Sequence, residues 1–144
     1  MERVHATCVA LNGKGVLLRG APGNGKSDLA LRLIDEGWDL VADDYTELEA
    51  DDGLLRASAP ETIRGLLEVR GLGIVRLDCA ALVEVNAVFD LAPLSEIDRL
   101  PDPASATFEG LEVPRYAIHG FDASAPAKVR LALKAQAANL FHKT

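Results

Sequence analysis

The chain is poor in aromatic residues, cysteine and histidine, and it carries no surplus of positive charge. Phe, Tyr and Trp make up only 5% of it, so any core must be assembled mainly from Leu, Val, Ile and Ala. Its two cysteines, Cys8 and Cys79, are too few for a disulfide framework and lack the paired spacing of a zinc site. Both read as buried small apolar residues. Lys and Arg number 15 against 22 Asp and Glu, a formal charge of -7, which argues against a basic face for nucleic acid. A polyanionic ligand stays compatible where positive charge is local. No run of about 18 apolar residues occurs, so no membrane-spanning helix is expected. Residues 1–5 lack the apolar stretch of a signal peptide, and the expected compartment is the cytoplasm.

What remains is an ordinary globular composition, 49% hydrophobic and 26% charged over 144 residues, expected to form a single domain, residues 1–144. Residues 4–11 and 15–19 read as two strands joined at the hairpin signal Asn12-Gly13. Residues 27–36 carry Leu29, Ala30, Leu31, Leu33 and Ile34 at helical spacing, with Gly37 as a stop. A strand over residues 38–42 ends at Asp43-Asp44. Residues 46–48 and 54–57 flank Asp51-Asp52-Gly53, a second hairpin signal in which the acidic pair is a plain turn. Pro60-Glu61 is expected to open a short helix running through Leu66-Leu67. Val83–Leu91 alternates as a strand. Residues 93–112 are expected to be a surface loop, residues 113–118 a last short strand, and residues 125–141 a C-terminal helix. The order of elements predicts an α/β fold, a mixed twisted sheet with flanking helices.

Gly20-Ala21-Pro22-Gly23-Asn24-Gly25-Lys26-Ser27 matches G-x-x-x-x-G-K-[ST], and it lies between an apolar strand and an amphipathic helix, as a phosphate-binding loop requires. Glycines let the backbone curl so that successive N–H groups face phosphate oxygens. The helix that follows presents its positive end to the same anion. In such a loop Lys26 reaches the β- and γ-phosphates and the Ser27 hydroxyl ligates Mg²⁺. The bland alternative is a chance glycine turn, which pattern and context together disfavour.

Asp43-Asp44 ends a strand expected to lie beside the strand that feeds this loop, the place of a metal-orienting carboxylate. One carboxylate can hold Mg²⁺ or its waters while the other accepts a proton from an attacking hydroxyl. Crowding two negative charges favours proton uptake by one of them. A solvated strand-end turn is the competing explanation.

These segments resemble one family. His5, the loop of residues 20–27, Leu40-Val41-Ala42-Asp43-Asp44 and Leu67-Glu68-Val69-Arg70-Gly71-Leu72-Gly73-Ile74 are similar to the catalytic domain of HPr kinase/phosphorylase, which phosphorylates a serine of the phosphocarrier HPr. The similarity is good over residues 3–78 and looser beyond. The resemblance implies ATP and Mg²⁺ as cofactors, an HPr-like carrier as partner, a phosphoenolpyruvate-carboxykinase-like sheet and a homo-oligomer, with a hexamer as one form. It implies that His5 is an active-site histidine, Lys26 contacts the transferred phosphoryl group and Ser27 binds Mg²⁺. Asp44, with Asp43 beside it, becomes the proton acceptor, Glu68 a second metal-site residue and Arg99 a catalytic arginine. From the residues alone, a lone histidine at a strand start such as His5 is more often structural or on the surface, and Glu68, Arg70 and Arg99 read as solvated charges.

The departures from the family pattern are specific. Pro22 stands where the family loop has Ser, and Asp28 where it has Glu. Residues 116–125 (YAIHGFDASA) occupy the place of a basic Pro/Arg/Gly/Asn segment linked to dephosphorylation. The chain is expected to be a short form without the family's N-terminal domain, like those of some proteobacteria, with kinase activity favoured over phosphorylase. A P-loop kinase for a small metabolite and a non-catalytic nucleotide-sensing module are the alternative readings.

Overall fold

The structure, a computed structural model, describes residues 1–142. The first half of these residues forms strands β1 (Glu2–Val4), β2 (Thr7–Leu11) and β3 (Lys14–Arg19), helix α1 (Lys26–Asp35), and strands β4 (Asp39–Ala42), β5 (Thr46–Asp51), β6 (Leu54–Ser58) and β7 (Leu66–Val69). Strands β8 (Gly73–Arg76), β9 (Val83–Leu91), β10 (Ala104–Phe108) and β11 (Leu111–Ile118) and helix α2 (Ala125–Ala138) complete it. The expected mixed α/β architecture is found. No helix among the described residues is long and apolar enough to cross a membrane.

The main sheet runs β1-β5-β6-β9-β3-β2-β4, and β11 joins β9 while pairing with β10. Strand β9 is its organising element. One edge pairs in parallel with β3 along its whole length, while the other pairs with β6 near Val83 and with β11 from Val88 onward. Two branches therefore diverge from one strand. Alternation along the central strands sends Leu17, Cys8, Ala10 and Val88 to one side, where they pack with Leu48, Leu55 and Phe108. Val16, Leu18, Val9, Ala87 and Phe89 point the other way, against Leu29 and Leu33 of α1 and Val129 of α2. A register shift in the β3–β9 pairing, from Gly15↔Val85 to Val16↔Ala87, reverses the facing of β9 part-way along. With so few aromatics, both cores are mainly aliphatic, with Phe108 in one and Trp38 and Phe89 in the other. Phe89 is the largest fully buried side chain.

Several sequence expectations need correction. Residues 4–11 are not one strand: the chain turns at His5, where Ala6 N–H donates to the Val4 carbonyl (3.1 Å), and β1 leaves to pair with β5. The acidic pair does not lie beside the phosphate-loop strand, because β2 separates β4 from β3. Both neighbours of β2 are antiparallel to it, so β3 and β4 still end at the same edge. The helix expected after Pro60 is a single 3₁₀ turn, Glu61–Ile63. Gly65 then turns the chain into the β7–β8 hairpin, where Leu67 faces inward and Glu68 outward with period two. Residues 93–112 are not simply a loop, since Glu109 and Gly110, both at positive φ, turn β10 into β11 with Phe108 buried. The C-terminal helix stops at Ala138, where Asn139 adopts the left-handed conformation (φ 54, ψ 50). Cys8 is buried as expected, and burial pushes its thiol pKa up, but Cys79 is only partly covered.

Candidate active site

Strand β3 delivers its chain end to residues 20–27, and α1 begins at Lys26 with Gly25 as its cap. Gly25 sits at φ 93, a conformation that side-chain-bearing residues rarely adopt. Within the loop Asn24 N–H closes a turn on the Ala21 carbonyl at 3.1 Å. The first bond of the helix runs from Leu29 N–H to the Gly25 carbonyl, leaving the amides of its first turn without intrahelical acceptors. A Cβ added at Gly23 would meet no atom within 4 Å, so the loop is not packed over at that point. The Lys26 ammonium folds back to the Gly20 carbonyl (2.7 Å), which keeps a positive charge at the loop. Backbone donors, a helix N-terminus and a lysine brought together in one short loop fit a polyphosphate.

Asp43 is the node of the site and is 8% exposed. Its Oδ1 accepts from the Ser27 hydroxyl at 3.0 Å and from the Thr7 hydroxyl at 3.2 Å, and its Oδ2 accepts from the Glu68 backbone N–H at 3.1 Å. Four segments, β2, the start of α1, the end of β4 and β7, are thus fastened to one carboxylate. Among the described residues no cluster of three or more His, Cys, Asp or Glu forms a self-sufficient metal site. The pair of hard oxygens on Ser27 and Asp43 suits a cation that takes its remaining ligands from phosphates and water, as Mg²⁺ does.

Asp44 is held beside it in an unusual backbone state. It has φ 69, and Tyr45 N–H bonds back to the Asp43 carbonyl across it at 2.8 Å. A non-glycine residue kept in this region costs about 1–3 kcal/mol, which the surrounding contacts must offset. Thr7 supplies one such contact: its Oγ1 accepts the Asp44 N–H at 3.1 Å while donating to Asp43. The Asp44 carboxylate meets His5 Nε2 at 2.7 Å, and Tyr45 stacks on the His5 ring with centroids 5.1 Å apart. His5 and Asp44 therefore occupy facing tight turns, at the corner where pairing passes from β2–β4 to β1–β5. Both side chains are about half exposed, at 46% and 58%, so the dyad opens to solvent.

Behind the loop, Asp90 on β9 accepts a forked pair of bonds from Arg19 (2.7 and 3.1 Å) and a further bond from Arg115 Nε. Burial alone would raise the Asp90 carboxyl, but the bonds and charges of the two arginines outweigh it and hold the group below the usual carboxylate range. This triad ties β3, β9 and β11 together one residue before Gly20.

The structure brings His5, Lys26, Ser27, Asp43 and Asp44 to one edge of the sheet. Glu68 enters through its backbone, and its side chain points to solvent. Arg99 lies exposed on the segment before β10, and no hydrogen bond among the described residues joins it to the site. Thr7 was not legible as a site residue. Its signal is a lone hydroxyl inside an apolar strand, and only the pairing of β2 with β4 explains it.

A family model of the HPr serine kinase C-terminal domain matches residues 1–118. This chain belongs to that family. An HPr kinase/phosphorylase of Geobacillus sp. (strain WCH70) is 51% identical over 75 residues, covering 51% of this chain and 24% of the relative. The HPr kinase/phosphorylase of Geobacillus thermodenitrificans (strain NG80-2) is 39% identical over 127 residues, 80% of this chain and 41% of the relative. The chain thus spans well under half the length of these curated relatives. The solved Hpr(Ser) kinase/phosphatase from Coxiella burnetii aligns with a TM-score of 0.85 at 23% identity, covering 97% of this chain and 99% of that one, which shows the common fold.

Proposed function

We propose that this HPr serine kinase-type domain is an ATP-dependent protein-serine kinase acting on HPr or a similar small phosphocarrier, with weak or no phosphorylase activity. The observation that carries the reading is the junction of two pairs, Ser27 with Asp43 and His5 with Asp44, at the mouth of a phosphate-binding loop. ATP occupies the loop as substrate, with the amides of residues 20–27 and Lys26 around its phosphates. Mg²⁺, held by Ser27 and Asp43, would supply charge neutralisation on the phosphate oxygens. Asp44 takes the proton from the incoming serine hydroxyl; the serine Oγ–phosphorus bond forms as the bond to the ADP leaving oxygen breaks. His5 orients the Asp44 carboxylate through the contact of its Nε2 with Asp44 Oδ1. Lys26 offsets negative charge on the transferred group.

A protein acceptor fits the shape of the site better than a small metabolite. The dyad stands on an open shelf, and the neighbouring β7–β8 hairpin exposes Leu72 and Ile74 at 77% and 70% together with Arg70 and Arg76. Such a surface can meet a protein but does not enclose a small molecule. The deciding experiment incubates the protein with γ-labelled ATP, Mg²⁺ and purified HPr-type carriers. Label on a carrier serine is the expected result. Label on a small molecule identifies a metabolite kinase, and binding without turnover identifies a nucleotide sensor.

A further inference from the structure

The residues between β11 and α2 lie just beyond the family match, and the site described above leaves them unused. They do, however, touch the phosphate loop at two points. A Cβ on Gly120 would lie 2.7 Å from the Asn24 carbonyl oxygen, so the backbone at 120 rests directly against the loop backbone. A Cβ on Gly25 would lie 3.1 Å from the Phe121 ring, so that ring covers the Cα of the glycine that caps α1. The segment is itself anchored on both sides. Arg32 of α1 donates to the Asp122 carbonyl at 3.0 Å and to the Gly120 carbonyl, while pairing with Asp28 at 2.9 Å. His119 Nδ1 bonds the Ala92 carbonyl at 3.0 Å, Ala92 N–H bonds the Ile118 carbonyl at 3.0 Å, and the His119 ring meets Phe121 edge-on. Phe121 is nonetheless 52% exposed, so little of the core depends on it.

We infer that residues 119–122 form a strap that holds the phosphate loop in its ligand-ready curl, with Phe121 as a positioning residue for the triphosphate. The inference rests on the proposed use of the loop to bind ATP. A glycine-rich loop is costly to order, because glycine has the most backbone freedom to lose. Its amides grip phosphates tightly only where something outside the loop has already fixed their directions. The strap does this from behind. The Phe121 ring limits the excursion of Gly25, Gly120 backs Asn24, and Arg32 makes the strap move with α1, whose first turn supplies the remaining amides. The ring acts through the loop, so its contribution is the same whatever hangs from the phosphates.

Titration calorimetry with ATP–Mg²⁺ and with inorganic tripolyphosphate–Mg²⁺ tests this on the wild type and on Phe121→Ala, Phe121→Leu and Arg32→Met. Phe121→Ala is expected to weaken both ligands by the same factor, about tenfold. Phe121→Leu, which keeps an apolar side chain over Gly25, restores most of the loss. Arg32→Met, which frees the strap without touching the ring, weakens both ligands again. In the transfer assay Phe121→Ala raises KM for ATP with kcat nearly unchanged, the mark of an interaction equal in ground and transition states. Unchanged affinity in Phe121→Ala overturns the inference, as does a loss confined to ATP, which would make the ring a nucleobase platform instead. A wild-type protein that binds neither ligand rejects the kinase reading along with it, a failure visible before any variant is made.

Discussion

The Ser27 hydroxyl and the Asp43 carboxylate meet at 3.0 Å although 16 residues separate them in the chain. Helix α1 starts at the end of β3 and Asp43 sits at the end of β4, and both strands finish at one edge because β2 runs antiparallel between them. The same edge carries the His5–Asp44 pair. Under the proposed function, metal placement and proton acceptance fall to adjacent carboxylates with opposite environments, Asp43 buried and Asp44 exposed.

That division predicts a clean separation of binding from chemistry in Asp44→Asn. The substitution keeps shape and the backbone bond to Thr7 but removes the proton acceptor. Transfer to the carrier should fall by about 10²–10⁴-fold, with ATP affinity little changed by calorimetry. Normal turnover by this variant would exclude Asp44 as the base.

Ser27→Ala removes one of the two hard oxygens while leaving Asp43 bonded to Thr7 and Glu68. The Mg²⁺ concentration needed for half-maximal transfer is expected to rise by about 10–100-fold. Thermal stability without nucleotide should barely move, since Ser27 is only partly buried. An unaltered Mg²⁺ requirement argues that the cation is held elsewhere.

Thr7→Val keeps the volume of a fully buried side chain but removes the hydroxyl that serves both aspartates. An unpaired Asp44 N–H and one fewer donor to Asp43 are expected to cost about 1–3 kcal/mol of folding stability. Because Asp44 holds a strained φ of 69, its carboxylate should also lose its fixed direction, so kcat falls as well. Equal denaturant midpoints for the variant and wild type would show that Thr7 is not a structural tie.

The sequence made the phosphate loop legible because that motif is local: strand, curl and helix occupy consecutive residues with periodicities of their own. The aspartate pair was legible as a motif but not in its position, since nothing in a single strand says that β2 will lie between β4 and β3. The β7–β8 hairpin was mistaken in part for a helix because Pro60-Glu61 does start a helical turn, and Gly65 stops it four residues later. Strand β10 escaped notice because its burial is confined to Phe108 and part of Ala106, so its alternation is faint. Thr7 and the strap at residues 119–122 were invisible for a common reason. Their roles exist only in contacts across the sheet, and local pattern carries no trace of those.

Asp90 gives the fold an acid-sensitive joint. Its carboxyl titrates below the usual value in the folded protein, because Arg19 and Arg115 outweigh the effect of burial. The unfolded chain, with an ordinary Asp value of about 3.9, therefore binds more protons than the folded one in the interval below it. Stability consequently rises with pH across that interval. The contribution is fully present above about pH 5 and disappears as the pH falls through the folded-state value. Asp90→Asn removes the titrating group and leaves two arginines facing a neutral amide, so the variant should be less stable than wild type at pH 7. The gap should narrow as the pH falls below about 4. Urea midpoints measured across this range check the claim, and a gap that stays constant into acid would assign the acid sensitivity to other carboxylates.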